Sequence, residues 1–261
     1  MVFLFSLLIS LAHAEFVIVP DDLVISEMAP GSSAPLNNQL GVLIWNIEKG
    51  KAQYDWAYDF QKLMDGKSLA LLQEGIEDNY VPNVLKSISR FGWFIARTFF
   101  METDRQATGV ISGSPQKPVQ ASFLRTRDLE PIINTPKMAF LSTYDLLGGS
   151  QLLVVNVHAI NFTSPEPFFR QVDDIVKAIG NWNGKVLVAG DFNTWISART
   201  KYLVGKMKAL GLEHVVFEKD PRQLVLDHVF IRGCQLSAAQ VHGNIESSDH
   251  YPLTTDFSCQ N

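Results

Sequence analysis

Apolar residues in this chain fall into short runs, and run after run ends in Asp, Asn, Glu or His. Residues 40–45 form an apolar strand that delivers Asn46. Residues 54–64 carry apolar positions at helical spacing, and Gly66 stops that helix. A second strand over 69–72 delivers Glu74, and Val81, Val84, Leu85 and Ile88 then mark another helix face. Short strands around 93–97, 108–112, 119–123 and 138–144 have the spacing of an antiparallel meander. The second half repeats the alternation without repeating the sequence. A strand over 152–157 ends at His158, and a helix over 167–182 presents Phe168, Val172, Ile175 and Ile179 on one face. A strand over 186–189 runs into Gly190-Asp191, and a helix over 200–210 is closed by Gly211. Strands over 225–231, 236–241 and 253–257 complete the chain. Two halves, each with strands covered by helices on one face, predict an α/β fold: a four-layer sandwich of two packed mixed β-sheets flanked by helices.

Residues 15–38 break this pattern with Pro20, Pro30, Gly31 and Pro35, and read as an N-terminal arm before one domain over 39–261. Residues 1–14 read as a signal peptide: an apolar run over 2–11, then Ala12-His13-Ala14 as a cleavage site. The run is too short to span a bilayer as a helix. It has no Lys or Arg near Met1, so a buried first strand or a truncated membrane anchor stays open. Export implies a periplasmic or secreted protein. Cys234 and Cys259 would both remain in the mature chain, where an oxidising compartment allows them to pair; two unpaired core thiols are the alternative.

With 261 residues, 46% of them hydrophobic, the chain can bury one large core. Its formal charge of −5 provides no global basic field for a polyanion, although a metal and a local basic patch can still hold a phosphate.

Carboxylates gathered at the rim of a sheet repel unless a cation neutralises them or one keeps its proton. Glu74, Asp191, Asp227 and Asp249, beside Asn193 and His250, suit a hard divalent ion bound to oxygen, with a histidine for proton or phosphate work. Blander roles exist for each. Gly190-Asp191-Phe192-Asn193 could cap the following helix, Asp249 and His250 could be turn chemistry before Pro252, and His158 could be a satisfied core histidine. His228 alternates against Asp227 and reads as structural, while His214 and His242 read as surface residues. Arg105 and Lys137 lie in segments expected to reach the same rim, as phosphate contacts or as exposed loop cations. Trp195 could stack on a ring or pack in the core, and Phe99-Phe100-Met101 reads as a buried strand in preference to a lipid-touching tip.

The order Trp45-Asn46-Ile47, Gln73-Glu74, Asn156-Val157-His158, Gly190-Asp191-Phe192-Asn193, Leu226-Asp227-His228 and Ser248-Asp249-His250 resembles the endonuclease/exonuclease/phosphatase superfamily, the deoxyribonuclease I-like group. Ala107-Thr108-Gly109-Val110 and Thr135-Pro136-Lys137 resemble an uncharacterised bacterial branch of it. The resemblance implies a Mg²⁺-dependent hydrolase of phosphate esters, with Mn²⁺ or Ca²⁺ as substitute ions, acting as a monomer. It implies Glu74 as the main metal ligand, with Asn46 beside it and Asp249 supporting the ion from the far side. Asp191 would orient or deprotonate the attacking water, and Asn193 would hold that water and the phosphate. Asp227 would orient His250, His250 would donate to a phosphoryl oxygen, and His158 would protonate the leaving oxygen. A nuclease acting on nucleic acid is the leading expectation. A phospholipase C or sphingomyelinase-type activity on a lipid head group, an inositol-phosphate phosphatase and an inactive binding module are the others.

Overall fold

The computed structural model describes residues 16–101, 106–131 and 133–260; the segment read as a signal peptide and Arg105 lie outside them. The first half runs β1 (Phe16–Ile18), β2 (Ile25–Ala29), β3 (Gln39–Asn46), α1 (Tyr54–Leu63), β4 (Leu69–Ile76), α2 (Val81–Lys86), β5 (Gly92–Met101), β6 (Ala107–Ser114) and β7 (Gln120–Arg125). The second runs β8 (Met138–Asp145), β9 (Gln151–His158), α3 (Pro165–Ile179), β10 (Lys185–Asp191), α4 (Ser197–Ala209), β11 (Glu213–His214), β12 (Asp227–Arg232), β13 (Gln235–Val241) and β14 (Leu253–Ser258). One sheet has the order β1-β5-β6-β4-β3-β14-β13, with β2 also on β5; the other has β11-β12-β10-β9-β8-β7. Both sheets are mixed, because β3 pairs parallel with β4 and β9 with β10.

Alternation along the central strands builds the layers. Val42, Ile44, Leu69 and Leu71 meet Leu152, Val154, Leu187 and Ala189 between the sheets. The intervening Leu43, Trp45, Ala70 and Leu72 face outward under Trp56 and Phe60 of α1. On the other side Val155, Val186 and Val188 face Phe168 and Val172 of α3 and Leu203 of α4. This is the four-layer sandwich that the apolar pattern predicts. Each large side chain buried this way stabilises the fold by roughly 1.5–3 kcal/mol.

The segment read as an arm contributes β1 and β2, which pair antiparallel with β5. Edge strands this short are held by backbone hydrogen bonds and leave little trace in side-chain pattern. Phe99, Phe100 and Met101 end β5 half-buried, partly covered by β1, where Phe16 packs edge-on to Phe99. Cys234 and Cys259 form a disulfide that ties the loop before β13 to the residue after β14. Among the described residues no helix is long and apolar enough to cross a membrane.

Candidate active site

The polar ends of five strands converge at one rim of the sandwich. On β12, β10 and β9, Asp227, Asp191 and His158 stand at the same level, because Asp227 and His158 are the Cα partners of Asp191 on its two sides. The facing sheet brings Asn46 at the end of β3 and Glu74 within β4. Gly190, at φ 142°, permits this convergence: a Cβ there would lie 2.0 Å from the Val157 carbonyl oxygen. Beneath the rim a polar pair crosses between the sheets. Gln73 Nε2 donates to Asn156 Oδ1 at 2.7 Å, and Asn156 Nδ2 donates to the Ile111 carbonyl at 2.9 Å.

Asp191 is 1% exposed and sits at the centre. Its Oδ2 accepts from Asn46 Nδ2 at 3.0 Å, and its Oδ1 accepts from the Asn193 backbone N–H at 2.9 Å. Asn193 Nδ2 donates to the Ala159 carbonyl at 2.9 Å. Neither side chain caps a helix, since α4 begins at Ser197 with Ile196 as its N-cap. His250 Nδ1 lies 3.0 Å from Asp227 Oδ2, and His250 Nε2 lies 3.9 Å from Asp191 Oδ2. The turn carrying Asp249 and His250 is fastened to β3: Trp45 Nε1 donates to the His250 carbonyl at 2.8 Å, and Ser248 Oγ donates to the Asn46 carbonyl at 2.7 Å. Glu74 and Asn193 both hold positive φ, 51° and 50°, a conformation that persists only where the surroundings enforce it.

Charge in the site is strongly ordered. Burial, then the neighbouring Asp227 carboxylate, raise Asp191 to about 7. Burial works against a charged His250, but Asp227, Asp191 and Asp249 outweigh it and raise the imidazole to about 10. Burial and the nearby Lys137 charge push His158 well below its ordinary value, so it is neutral. Burial alone would raise Glu74, yet it is held well below the usual carboxylate range. With His158 neutral, we assign that depression to the Lys49 ammonium, which donates to Glu74 Oε2 at 2.7 Å, and to Lys137.

Glu74, Lys137, His158, Asp191, Asn193, Asp227, Asp249 and His250 all line one cleft of about 670 Å³. Asn46 lies behind its wall, 2% exposed. Lys137 is ion-paired to the buried Glu130 at 3.3 Å. The ligand atoms of Asp191, Asp227 and His250 lie within 4.8 Å of one another. The donor set around the cleft is dominated by carboxylate and amide oxygen, which fits a hard divalent cation. A cation would also relieve the repulsion between Asp191 and Asp227.

Two histidines are less exposed than their sequence context suggests. His214 is half-buried against His228, with His214 Nε2 and His228 Nδ1 3.0 Å apart; half-buried His242 lies 2.8 Å from Thr254 Oγ1. His228 Nε2 lies 2.8 Å from Thr194 Oγ1, which donates to the Val225 carbonyl at 2.6 Å. The hydroxyl proton is thereby used, so His228 donates from Nε2 and accepts from His214 at Nδ1. Burial and the His214 ring lower His228 to about 3, which keeps this chain neutral.

Sequence reasoning missed three residues. Lys49 follows Asn46 within one turn, which was its only signal. Glu130 lies beside Asp128 in a Pro-containing loop with no motif to mark it. Arg199 is 2% exposed and, among the described residues, in no direct ion pair, yet donates to the carbonyls of Ile160 at 2.9 Å, Asn193 at 3.0 Å and Thr163 at 2.9 Å. It joins the loop after β9 to the loop after β10. Nothing in its spacing announced that role.

No family model matches the chain. A UPF0294 protein of Vibrio cholerae is 34% identical over 232 residues, which cover 87% of this chain and 80% of that protein. Among solved structures, an endonuclease/exonuclease/phosphatase from Beutenbergia cavernae superposes with TM-score 0.64 at 15% identity, covering 84% of this chain and 71% of that one. A humanized D. rerio TDP2 superposes with TM-score 0.64 at 16% identity, covering 84% and 99%. These likenesses give the chain the endonuclease/exonuclease/phosphatase fold, and its kinship with the Vibrio protein places it in the UPF0294 family.

Proposed function

We propose that this chain is a divalent-metal-dependent hydrolase of phosphate esters, acting on phosphodiesters, with nucleic acid as its substrate. The observation that carries the reading is the convergence of Glu74, Asp191, Asn193, His158 and the Asp227–His250 pair in one cleft. The likeness to endonuclease/exonuclease/phosphatase structures supports it, as does the D. rerio TDP2 solved with a single-strand DNA product.

In this reading Glu74, held ionised, would hold Mg²⁺ (or Mn²⁺ or Ca²⁺), with Asn46 and Asp249 in support. The bound ion supplies charge neutralisation at the non-bridging oxygens. Asp191, raised towards neutrality, accepts the proton of the attacking water. Asn193, its backbone fixed on Asp191 Oδ1, orients that water and the phosphate. His250 remains an imidazolium at neutral pH and donates to a phosphoryl oxygen. His158, held neutral, donates a hydrogen bond toward the leaving oxygen, and the departing alkoxide takes its proton from solvent water. Lys137 adds positive potential at the same wall, and Arg105 is assigned a second phosphate contact.

We also propose export to the periplasm or beyond, supported by the apolar segment before Ala12-His13-Ala14 and by the Cys234–Cys259 disulfide. N-terminal sequencing of protein from the host tests that: a start at Glu15 is expected, and an intact Met1 in the cytosol refutes it.

A panel of substrates tests the activity: double-stranded DNA, single-stranded DNA, RNA, sphingomyelin and inositol phosphates, each with Mg²⁺ and with chelator. Mg²⁺-dependent cleavage of a nucleic acid is expected. Turnover of a lipid alone would overturn the substrate assignment, and chelator-resistant turnover would overturn the metal.

A further inference from the structure

Two large aromatic side chains stand beside the cleft without joining the core: Phe162 is 65% exposed and Trp195 45%. Both line the cleft, and both line an adjoining recess of about 350 Å³ with Thr163, Ile196 and Arg199. The Trp195 ring and the Phe162 backbone are each held in place. Trp195 Nε1 donates to Asn193 Oδ1 at 3.2 Å, so the indole is anchored to the amide assigned to the phosphate. Phe162 holds φ 53°, an unfavourable conformation for a bulky residue, and its N–H donates to Asn161 Oδ1 at 2.8 Å. Arg199 ties both supporting loops together through the carbonyls of Ile160, Thr163 and Asn193.

We propose that Phe162 and Trp195 form a stacking subsite for the nucleobase next to the scissile phosphate, and that the substrate is therefore single-stranded or frayed. This rests on the phosphodiesterase reading above. Charge favours it. Among the described residues, the lysine and arginine lining the cleft, Lys137 and Arg222, are each matched by a carboxylate: Glu130 at 3.3 Å and Asp220 at 2.7 Å. Tracking a duplex by its phosphates draws its affinity from several cations, whereas a base stacked on a ring adds affinity of its own. Bases inside a duplex offer no free face to a ring. The anchoring of Trp195 to Asn193 puts the indole within one nucleoside of the assigned phosphate position, the reach of the flanking base.

The test uses two fluorescent oligonucleotides of equal length and charge, one of normal single-stranded DNA and one carrying only abasic tetrahydrofuran residues. Their affinities for the purified protein are measured by anisotropy, with chelator present to suppress turnover. The base-containing strand is expected to bind at least about fivefold tighter, because removing one aromatic platform costs roughly 5- to 150-fold per stacked base. Trp195→Ala and Phe162→Ala should each lose affinity for that strand and change the abasic strand little. Trp195→Phe keeps a ring but not the N–H to Asn193, and should retain most of the discrimination. Equal affinity for the two strands in the parent protein overturns the subsite, as does equal weakening of both in Trp195→Ala. Sedimentation with phosphatidylcholine vesicles, lost in Trp195→Ala without any base discrimination, would assign the rings to lipid and overturn it as well. Failure of the phosphodiesterase reading is seen separately: neither strand is cut with Mg²⁺ although the binding discrimination persists, which leaves the stacking site standing on its own data.

Discussion

Replacing Asp227 with Asn removes one charge from beside His250 and changes little else in size. Asp227 Oδ2 lies 3.0 Å from His250 Nδ1. Two unit charges at that distance, with an effective dielectric constant near 20, attract by roughly 5 kcal/mol. That energy is of the same order as the rise of His250 from 6.5 to about 10, since tenfold in proton affinity corresponds to about 1.4 kcal/mol. Asp191 is farther, 3.9 Å from Nε2, and itself titrates near neutrality, so it compensates only in part. In Asp227→Asn the His250 titration midpoint should therefore fall by at least about two pH units. Histidine-resolved NMR on chelated protein, wild type against variant, measures this directly. Activity provides the second readout: Asp227→Asn and His250→Ala should each cost much, and the double variant little more than the worse single. A His250 midpoint that moves by less than about half a pH unit would refute the electrostatic pairing. So would losses that multiply in the double variant.

Three further outcomes follow from the same geometry. His250 is charged in the folded protein up to about pH 10, above its unfolded value, so its stabilisation is complete below pH 6.5 and disappears as pH rises through about 10; urea unfolding of chelated protein at pH 7 and pH 10 should show a larger drop in the parent than in His250→Gln, and equal drops would contradict the assignment. Arg199→Met leaves carbonyls of Ile160, Asn193 and Thr163 short of donors, with an expected cost of about 3 kcal/mol in urea unfolding, partly regained in Arg199→Lys; a change under about 0.5 kcal/mol would remove Arg199 as a structural tie. Reducing the Cys234–Cys259 bond, which closes a separation of 25 residues, should lower stability by roughly 3 kcal/mol, and an unchanged unfolding midpoint under reductant would contradict that.

The central strands were legible because burial on both faces makes their apolar runs continuous, and because a polar residue at the end of such a run has little place to go but the rim. The order of Asn46, Glu74, His158, Asp191, Asp227 and His250 could thus be read before any coordinates. The edge strands Phe16–Ile18 and Ile25–Ala29 could not, since backbone pairing with Gly92–Met101 holds them and their side chains are mostly half-exposed. The partners of the site residues were equally hidden. Lys49 meets Glu74 and Lys137 meets Glu130 only through loop geometry, and most of the Arg199 hydrogen bonds go to backbone carbonyls, which carry no sequence signal. His214 looked unpartnered because His228 reaches it across strands, between Glu213–His214 and Asp227–Arg232.

The account stands on a divalent cation held through Glu74 in the cleft that contains Asp191 and His250. Its most direct test is the initial rate of phosphodiester cleavage against free Mg²⁺ for the parent protein and Glu74→Gln. Removing one ligand charge while keeping size should shift half-saturation to higher Mg²⁺ by about tenfold or more, with activity partly restored at high concentration. His250→Ala, run alongside, should stay low at every concentration. Identical Mg²⁺ curves for Glu74→Gln and the parent, or a parent rate indifferent to Mg²⁺, would contradict the account.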